Sequence, residues 1–489
     1  MNFDLSNTRT LNKITFIFIL IILNLFSINY SFLGIVVSLL ELFFLFFLFS
    51  RKRFRDYLIY FLIFLITSLE VESFVTGIRN SIIYNFHRLP LLRTYHIYIL
   101  LILPIFLVFK EGKLKINFKK HKYLKLLLFG FVLIYFFSFL SMLLSYIFND
   151  NGILNLSFYP RILIREILSH LTFFMFIFYF IIALLMNENF IYELENWLLS
   201  ILISFSLVAP VSYILGFSGL YGNEKVNLLP LSSFYGITLI IFPFYTRYKK
   251  NKSLFIFGAV MIFFTLVLPS PLGGKWWLFL FFIIIISIGL YFLKDIDKNK
   301  FVIRFLLILP FLFFTIIILT NVLTMNEILE LEGLQQTKYI QAIRTLSIFE
   351  RDWFSNLPAS PQFRFVEFFN VMIEYAKKPQ YFIFGKGLGG SIQHHTNLLD
   401  WNNEYAFSLD QIRANVFFSL HETINMFFLK FGLFGLGFLT YILYLCTRNL
   451  FKNPWIVIGM VWLLFYYGIY FSMIFGTVSL VVGLYRLEQ

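Results

Sequence analysis

The chain has 489 residues, of which 59% are hydrophobic, only 13% are charged and 69 are Phe. What remains cannot cover a water-soluble fold, so the solvent is lipid and the expected fold class is an all-α, polytopic transmembrane helix bundle forming a single membrane domain. In a soluble protein the net charge of +14 would point to nucleic acid, but here the basic residues lie in short loops between apolar runs, where they set topology and meet membrane lipid, so nucleic acid is not an expected partner.

Runs long enough to cross the hydrocarbon core extend over about 13–29, 32–50, 57–75, 94–109, 124–148 and 166–186. Others cover about 197–217, 229–246, 253–269, 276–293, 302–324, 417–446 and 455–485. The last is either one tilted helix or two short ones, so the expected count is about thirteen or fourteen spans. The first run carries no Ala-x-Ala cleavage pattern and is expected to be a retained span rather than a signal peptide. Cys446 is the single cysteine, which leaves no intramolecular disulfide and no cysteine-based metal site.

Short cytoplasmic loops concentrate Lys and Arg. Arg51, Lys52, Arg53 and Arg55 follow the second span, a lysine-rich stretch from Lys110 to Lys125 follows the fourth, and Arg247, Lys249, Lys250 and Lys252 follow the eighth. One orientation satisfies all three groups: amino terminus inside. The same parity puts 325–415 outside as one large loop of about ninety residues, with smaller external segments at 76–93, 149–165, 218–228 and 270–275.

Within the large loop, Ser360-Pro361 can cap a helix that runs to about Lys378, where Pro379 follows. Arg364, Glu367, Asn370 and Glu374 share one face of it, with Phe365, Phe368, Phe369, Met372 and Ile373 elsewhere around the axis. The polar stripe is either a solvated face on a helix lying over the membrane, or a device that aims Arg364 at an anionic ligand. The run Phe384-Gly385-Lys386-Gly387-Leu388-Gly389-Gly390 lets backbone amides approach a phosphate, with Lys386 adding charge, though it lacks the ending of a nucleotide loop and also fits a simple turn.

His421 and Glu422 stand at the external end of the twelfth span, placed either for interfacial anchoring or for proton transfer. His394 and His395 are adjacent, so their side chains diverge, and no metal is expected. Lys275 closes an external turn, Arg161 and Arg165 end another, and Arg79, Arg88 and Arg93 occupy a third. If these loops converge they form a cationic cavity at headgroup height, suited to a lipid diphosphate.

The stretch from about Asn227 to Gly435 resembles the O-antigen polymerase and O-antigen ligase superfamily of bacterial envelope proteins, the Wzy and WaaL type. The resemblance rests on Asn227-Leu228-Leu229-Pro230 opening a span, and on Ser270 with Lys275, where the family commonly has Arg. It also rests on Arg364 with the glycine run, and on His421 followed by Phe431-Gly432-Leu433-Phe434-Gly435. Glu422 stands where many members carry Asn.

The resemblance implies a metal-independent and cofactor-independent glycosyltransferase in the bacterial cytoplasmic membrane, acting on the external, periplasmic face. It would polymerise undecaprenyl-diphosphate-linked oligosaccharide repeat units into O-antigen or capsule polysaccharide. Arg364, His421 and Glu422 would be catalytic, and Lys275, Arg161, Arg165, Gly385, Lys386 and Gly387 would hold the diphosphate. A chain-length regulator and a flippase of the same pathway are the expected protein partners. The rival within the superfamily is the ligase, which moves finished glycan to a lipid acceptor. From other classes come a flippase for lipid-linked oligosaccharide and a scaffold without chemistry. Transporters place ionisable groups mid-membrane on broken helices, and Glu41 is the clearest such group in this sequence.

Overall fold

The computed structural model describes residues 8–72, 94–111, 121–147, 160–214, 218–221, 224–227, 257, 260, 353–357, 359–396, 401, 407, 409–418, 420, 422–450, 452–465 and 474–489. The predicted spans at 229–246, 276–293 and 302–324 lie outside these residues, as do all but Phe257 and Val260 of the span at 253–269. Lys275, Ser270, His421 and the segment with Arg79, Arg88 and Arg93 also lie outside them.

The described chain is helical. In order come α1 (Thr8–Asn29), α2 (Ser31–Ser50), α3 (Phe54–Glu72) and α4 (Thr94–Ile97). A π-helical turn (Tyr98–Ile102) joins α4 to α5 (Leu103–Glu111), followed by α6 (Lys122–Ile147), α7 (Pro160–Met186) and α8 (Phe190–Ile214). A small hairpin of β1 (Ser218–Tyr221) and β2 (Glu224–Asn227) comes next, then α9 (Trp353–Asn356), α10 (Ala359–Lys377), a 3-10 turn (Pro379–Tyr381) and α11 (Leu409–Ala414). The chain ends with α12 (Thr423–Arg448), α13 (Pro454–Phe465) and α14 (Ile474–Leu487). Among the described residues six helices are long and apolar enough to cross a membrane, and the protein is an all-α, multi-pass membrane protein. The final apolar run is two short helices rather than one.

The chain divides into two units. The first comprises Met1–Ser73, Gly77–Ser204 and Phe363–Gln489; the second comprises Phe74–Thr76 and Phe205–Gln362. In the second, β1 and β2 pair antiparallel with Ser218 opposite Asn227, and Gln362 at the start of α10 donates a hydrogen bond to the Phe354 carbonyl of α9 at 2.7 Å.

The first unit holds the site. Its spans carry apolar residues on both their inward and their outward sides, as expected where one side meets protein and the other meets lipid. On α2, Val37, Leu45 and Leu48 are buried while Phe32, Phe43 and Phe46 face outward; α6 has the same arrangement, with Phe136, Phe139, Leu143 and Ile147 outward. Without a hydrophobic drive between helices in lipid, close approach decides packing. Hence α13 and α14 meet through glycine: a Cβ at Gly459 would come within 2.6 Å of Leu480, and one at Gly483 within 2.6 Å of Ile456.

Polar contacts gather at two ends of this unit. At one end Lys13 lies 4.4 Å above the Trp197 ring, Arg486 binds both carboxylate oxygens of Glu195 at 3.0 and 2.7 Å, and His121 Nδ1 lies 3.1 Å from Glu488. These contacts draw the starts of α1, α6 and α8 and the end of α14 together. At the other end the start of α7, the end of α6, α10 and the start of α12 converge.

Candidate functional site

The site is built on α10, which begins at Ala359, one residue before the predicted cap, and ends at Lys377, before Pro379. Its polar stripe is not solvated. Glu367 and Asn370 are 0% exposed and Glu374 is buried, whereas Phe365, Phe369 and Met372 point outward. The three- and four-residue spacing defines two faces, but which one turns inward depends on the surroundings; here the polar face finds partners inside the protein.

Those partners lie on the chain that follows α10. After the 3-10 turn, Phe382 to Gly390 folds back against the middle of α12. Helix α12 is broken at Gly432, with φ 60° and ψ −153°, a conformation open only to glycine. The break frees backbone groups inside a span, and each of these must be satisfied without water. The glycine run does so: the Lys386 and Gly387 amides donate to the Leu429 and Lys430 carbonyls at 2.9 and 3.0 Å, while the Leu433 and Phe434 amides donate to Phe382 and Ile383 at 3.0 and 2.9 Å. The Tyr375 hydroxyl adds a hydrogen bond to the Phe428 carbonyl at 2.6 Å. Gly385 has φ 75°, and a Cβ there would strike the α12 backbone at Lys430 and Phe431. The motif Phe384 to Gly389 is therefore a splint for a discontinuous helix.

Two buried lysines flank the splint, each 1% exposed. Lys386 Nζ donates to Glu374 Oε1 at 2.6 Å and to the Ser391 carbonyl at 2.8 Å. Lys430 Nζ lies 2.7 Å from Glu166 Oε1 on α7 and donates to the Gly390 carbonyl at 2.7 Å. Glu166 also accepts the Gly389 amide at 3.2 Å, and His170, one turn along α7, is 3.8 Å from Glu166 Oε1 and 3.3 Å from the Tyr135 hydroxyl of α6. Burial of this kind is tolerable only because every charge meets its opposite.

Glu374 is a hub. Its carboxylate faces Lys386 and His395 at 2.6 Å each and Lys378 at 3.5 Å. His395 Nε2 meets Glu374 Oε2 at 2.6 Å while Lys377 Nζ lies 3.1 Å from His395 Nδ1, an arrangement that fits the tautomer protonated at Nε2. Its neighbour His394 turns away and stacks on Trp401, 4.7 Å between centroids.

At the start of the same two helices lies a more open pair. Arg364 Nε is 2.5 Å from Glu422 Oε1, with side chains 24% and 22% exposed. Glu422 is the N-cap residue of α12, in extended conformation, and its side chain makes no cap hydrogen bond. Below it Asn425 donates to the Arg364 carbonyl at 2.9 Å and to Glu367 Oε2 at 3.0 Å. This lattice fixes the backbone that carries Arg364.

Of the predicted site residues, Arg364 and Glu422 come together, and Gly385, Lys386 and Gly387 form the splint. Lys386 spends its charge on Glu374 inside the protein and presents none to an open cavity. Arg161 and Arg165 lie on the first turns of α7; their side chains, together with Lys275 and His421, lie outside the described structure. Motif spacing gives no hint of Glu166, His170, Glu367 or Lys430 as partners. The available signal is an ionisable residue within or at the edge of an apolar run.

The chain matches no protein-family model, no curated protein and no solved structure.

Proposed function

We propose that this protein is a polysaccharide polymerase of the O-antigen polymerase and ligase type, transferring glycan from a polyprenyl diphosphate at the external face of a bacterial cytoplasmic membrane. The observation that carries the reading is the Arg364–Glu422 pair, partly exposed at the N-terminal end of a span on a backbone held by buried polar bonds. A guanidinium fork suits diphosphate oxygens, and the α12 N-terminus adds a favourable dipole beside it. The basic turns that the positive-inside rule assigns to the cytosol, Arg51 to Arg53 among them, support an external orientation for the opposite end, where this pair lies.

In the proposed reaction the diphosphate takes the place of Glu422 on Arg364. The released carboxylate, with His421 beside it in sequence, accepts the proton of an attacking sugar hydroxyl. The new bond forms from that oxygen to the anomeric carbon as the bond to the diphosphate breaks, and the diphosphate departs with the electron pair. Arg364 stabilises the charge that builds on the leaving group. Vesicles carrying the protein and a lipid-linked repeat unit test this: polymer forms, and Arg364→Ala slows it about a hundredfold. The ligase reading differs in the acceptor alone and predicts transfer to a lipid instead of chain growth.

One observation favours a second reading, a flippase for lipid-linked oligosaccharide. Transporters place discontinuous helices and paired ionisable groups at their substrate sites, and α12 is broken at Gly432 beside Lys430 and Glu166. The same vesicles separate the two, because a flippase moves the lipid across the bilayer without changing glycan length.

A further inference from the structure

We infer that α10 and the glycine splint form a bilayer-contact surface, with Phe369, Met372 and Ile383 set among lipid acyl chains rather than in water. This inference is independent of the chemistry proposed above. Three observations carry it.

The first is inverted polarity. In water a helix turns carboxylates outward and large apolar side chains inward; α10 buries Glu367, Asn370 and Glu374 together with Val366, Val371 and Tyr375, and leaves Phe369 49% exposed. Such an arrangement lowers free energy only where the outer medium is apolar.

The second is depth. The splint packs against parts of spans. Phe384 stacks on Phe137 of α6 at 4.4 Å, Tyr381 receives a 2.5 Å hydrogen bond from Ser145, and a Cβ at Gly387 would lie 2.8 Å from the Met142 amide. Phe137, Met142 and Ser145 all belong to the candidate span Lys122–Ser145, and Gly432, which the splint repairs, belongs to Thr423–Arg448. Residues 381–387 therefore share the depth of those two spans.

The third is shared exposure. The outward row on α10 is matched by outward Ile383 on the splint, Ile424 and Leu433 on α12, and Phe139 and Leu143 on α6, the last two facing lipid by their place in a span. Part of the sequence between the eleventh and twelfth predicted spans is thus re-entrant: it dips into the membrane with its irregular backbone buried in protein.

Nitroxide labels on single cysteines, in a Cys446→Ala background of the full chain, decide the matter in vesicles of phosphatidylethanolamine and phosphatidylglycerol. Phe369→Cys, Met372→Cys and Ile383→Cys should favour collision with oxygen over a water-soluble nickel chelate, as should Phe139→Cys and Leu143→Cys on α6. Arg51→Cys, between α2 and α3, should show the opposite preference. Each position is already exposed, so the labels leave packing intact. Predominant nickel access at 369 and 372 would overturn the inference in favour of a water-facing helix. Low access to both reagents would overturn it in favour of a protein cover, and dipolar broadening would identify that cover as a second copy of the chain.

Discussion

Lys430 and Glu166 stand 2.7 Å apart across two spans, and the glycine splint closes over both: Glu166 accepts the Gly389 amide and Lys430 donates to the Gly390 carbonyl. Removing one partner strands a charge in an apolar interior. Lys430→Met is expected to lower stability by about 3–5 kcal/mol. Replacing both, as Lys430→Met with Glu166→Leu, restores much of that loss, because no unpaired charge remains. Thermal unfolding of the three purified variants in detergent checks it, and full additivity of the two single losses would show that the pair does not interact.

Gly432 and Gly385 meet where the splint crosses the break. Gly432→Ala forces a Cβ into the φ 60°, ψ −153° conformation and into the Ile383 carbonyl at 2.6 Å. The expected cost is about 1–3 kcal/mol from the backbone alone. The visible result is undocking of the splint, read as accelerated proteolysis or hydrogen exchange between Pro379 and Ser391. Gly437→Ala is the control, since a Cβ there meets nothing within 4 Å.

Glu374 meets Lys386 at 2.6 Å and His395 at 2.6 Å where the splint docks. Glu374→Gln removes the charge that Lys386 faces and leaves a buried ammonium without its counter-ion. Hydrogen exchange at the Lys386 and Gly387 amides is expected to be faster in the variant than in the unaltered chain at the same pH; equal exchange would show that the pair does not hold the splint.

Much of the architecture is legible in the sequence. The six long spans follow from the length of apolar runs, because bilayer thickness sets a span length that loops do not meet by chance, whereas run length leaves the last apolar run open between one tilted helix and the two short ones that form. The α10 boundaries follow as closely, from Pro361 and Pro379. What sequence does not give is which side of α10 faces inward. A stripe of Arg364, Glu367, Asn370 and Glu374 reads as solvated when water is assumed outside, and as a buried lattice when lipid is. Nor does Gly385 to Gly390 reveal that it splints α12, since that depends on a break at Gly432, about forty residues later in sequence. Lys386 reads as a phosphate ligand in the sequence because Glu374, which it meets in the structure, lies on a stripe with two sequence readings, a solvated face or a mount for Arg364.

Arg364 is the side chain on which the proposed chemistry turns. Arg364→Lys should retain part of the activity, because charge survives while the bidentate fork is lost. Glu422→Gln should keep binding of the lipid-linked substrate and lower its turnover, since the proton acceptor goes while the cation stays.

The most direct measurement is polymer growth from a lipid-linked repeat unit in vesicles, compared between the unaltered chain and Arg364→Ala. The account predicts ladders of repeat units from the unaltered chain and a loss of about a hundredfold in rate for the variant, the usual cost of removing one group that stabilises transition-state charge. Equal rates, or a bilayer-crossing activity with no change in glycan length, would contradict it.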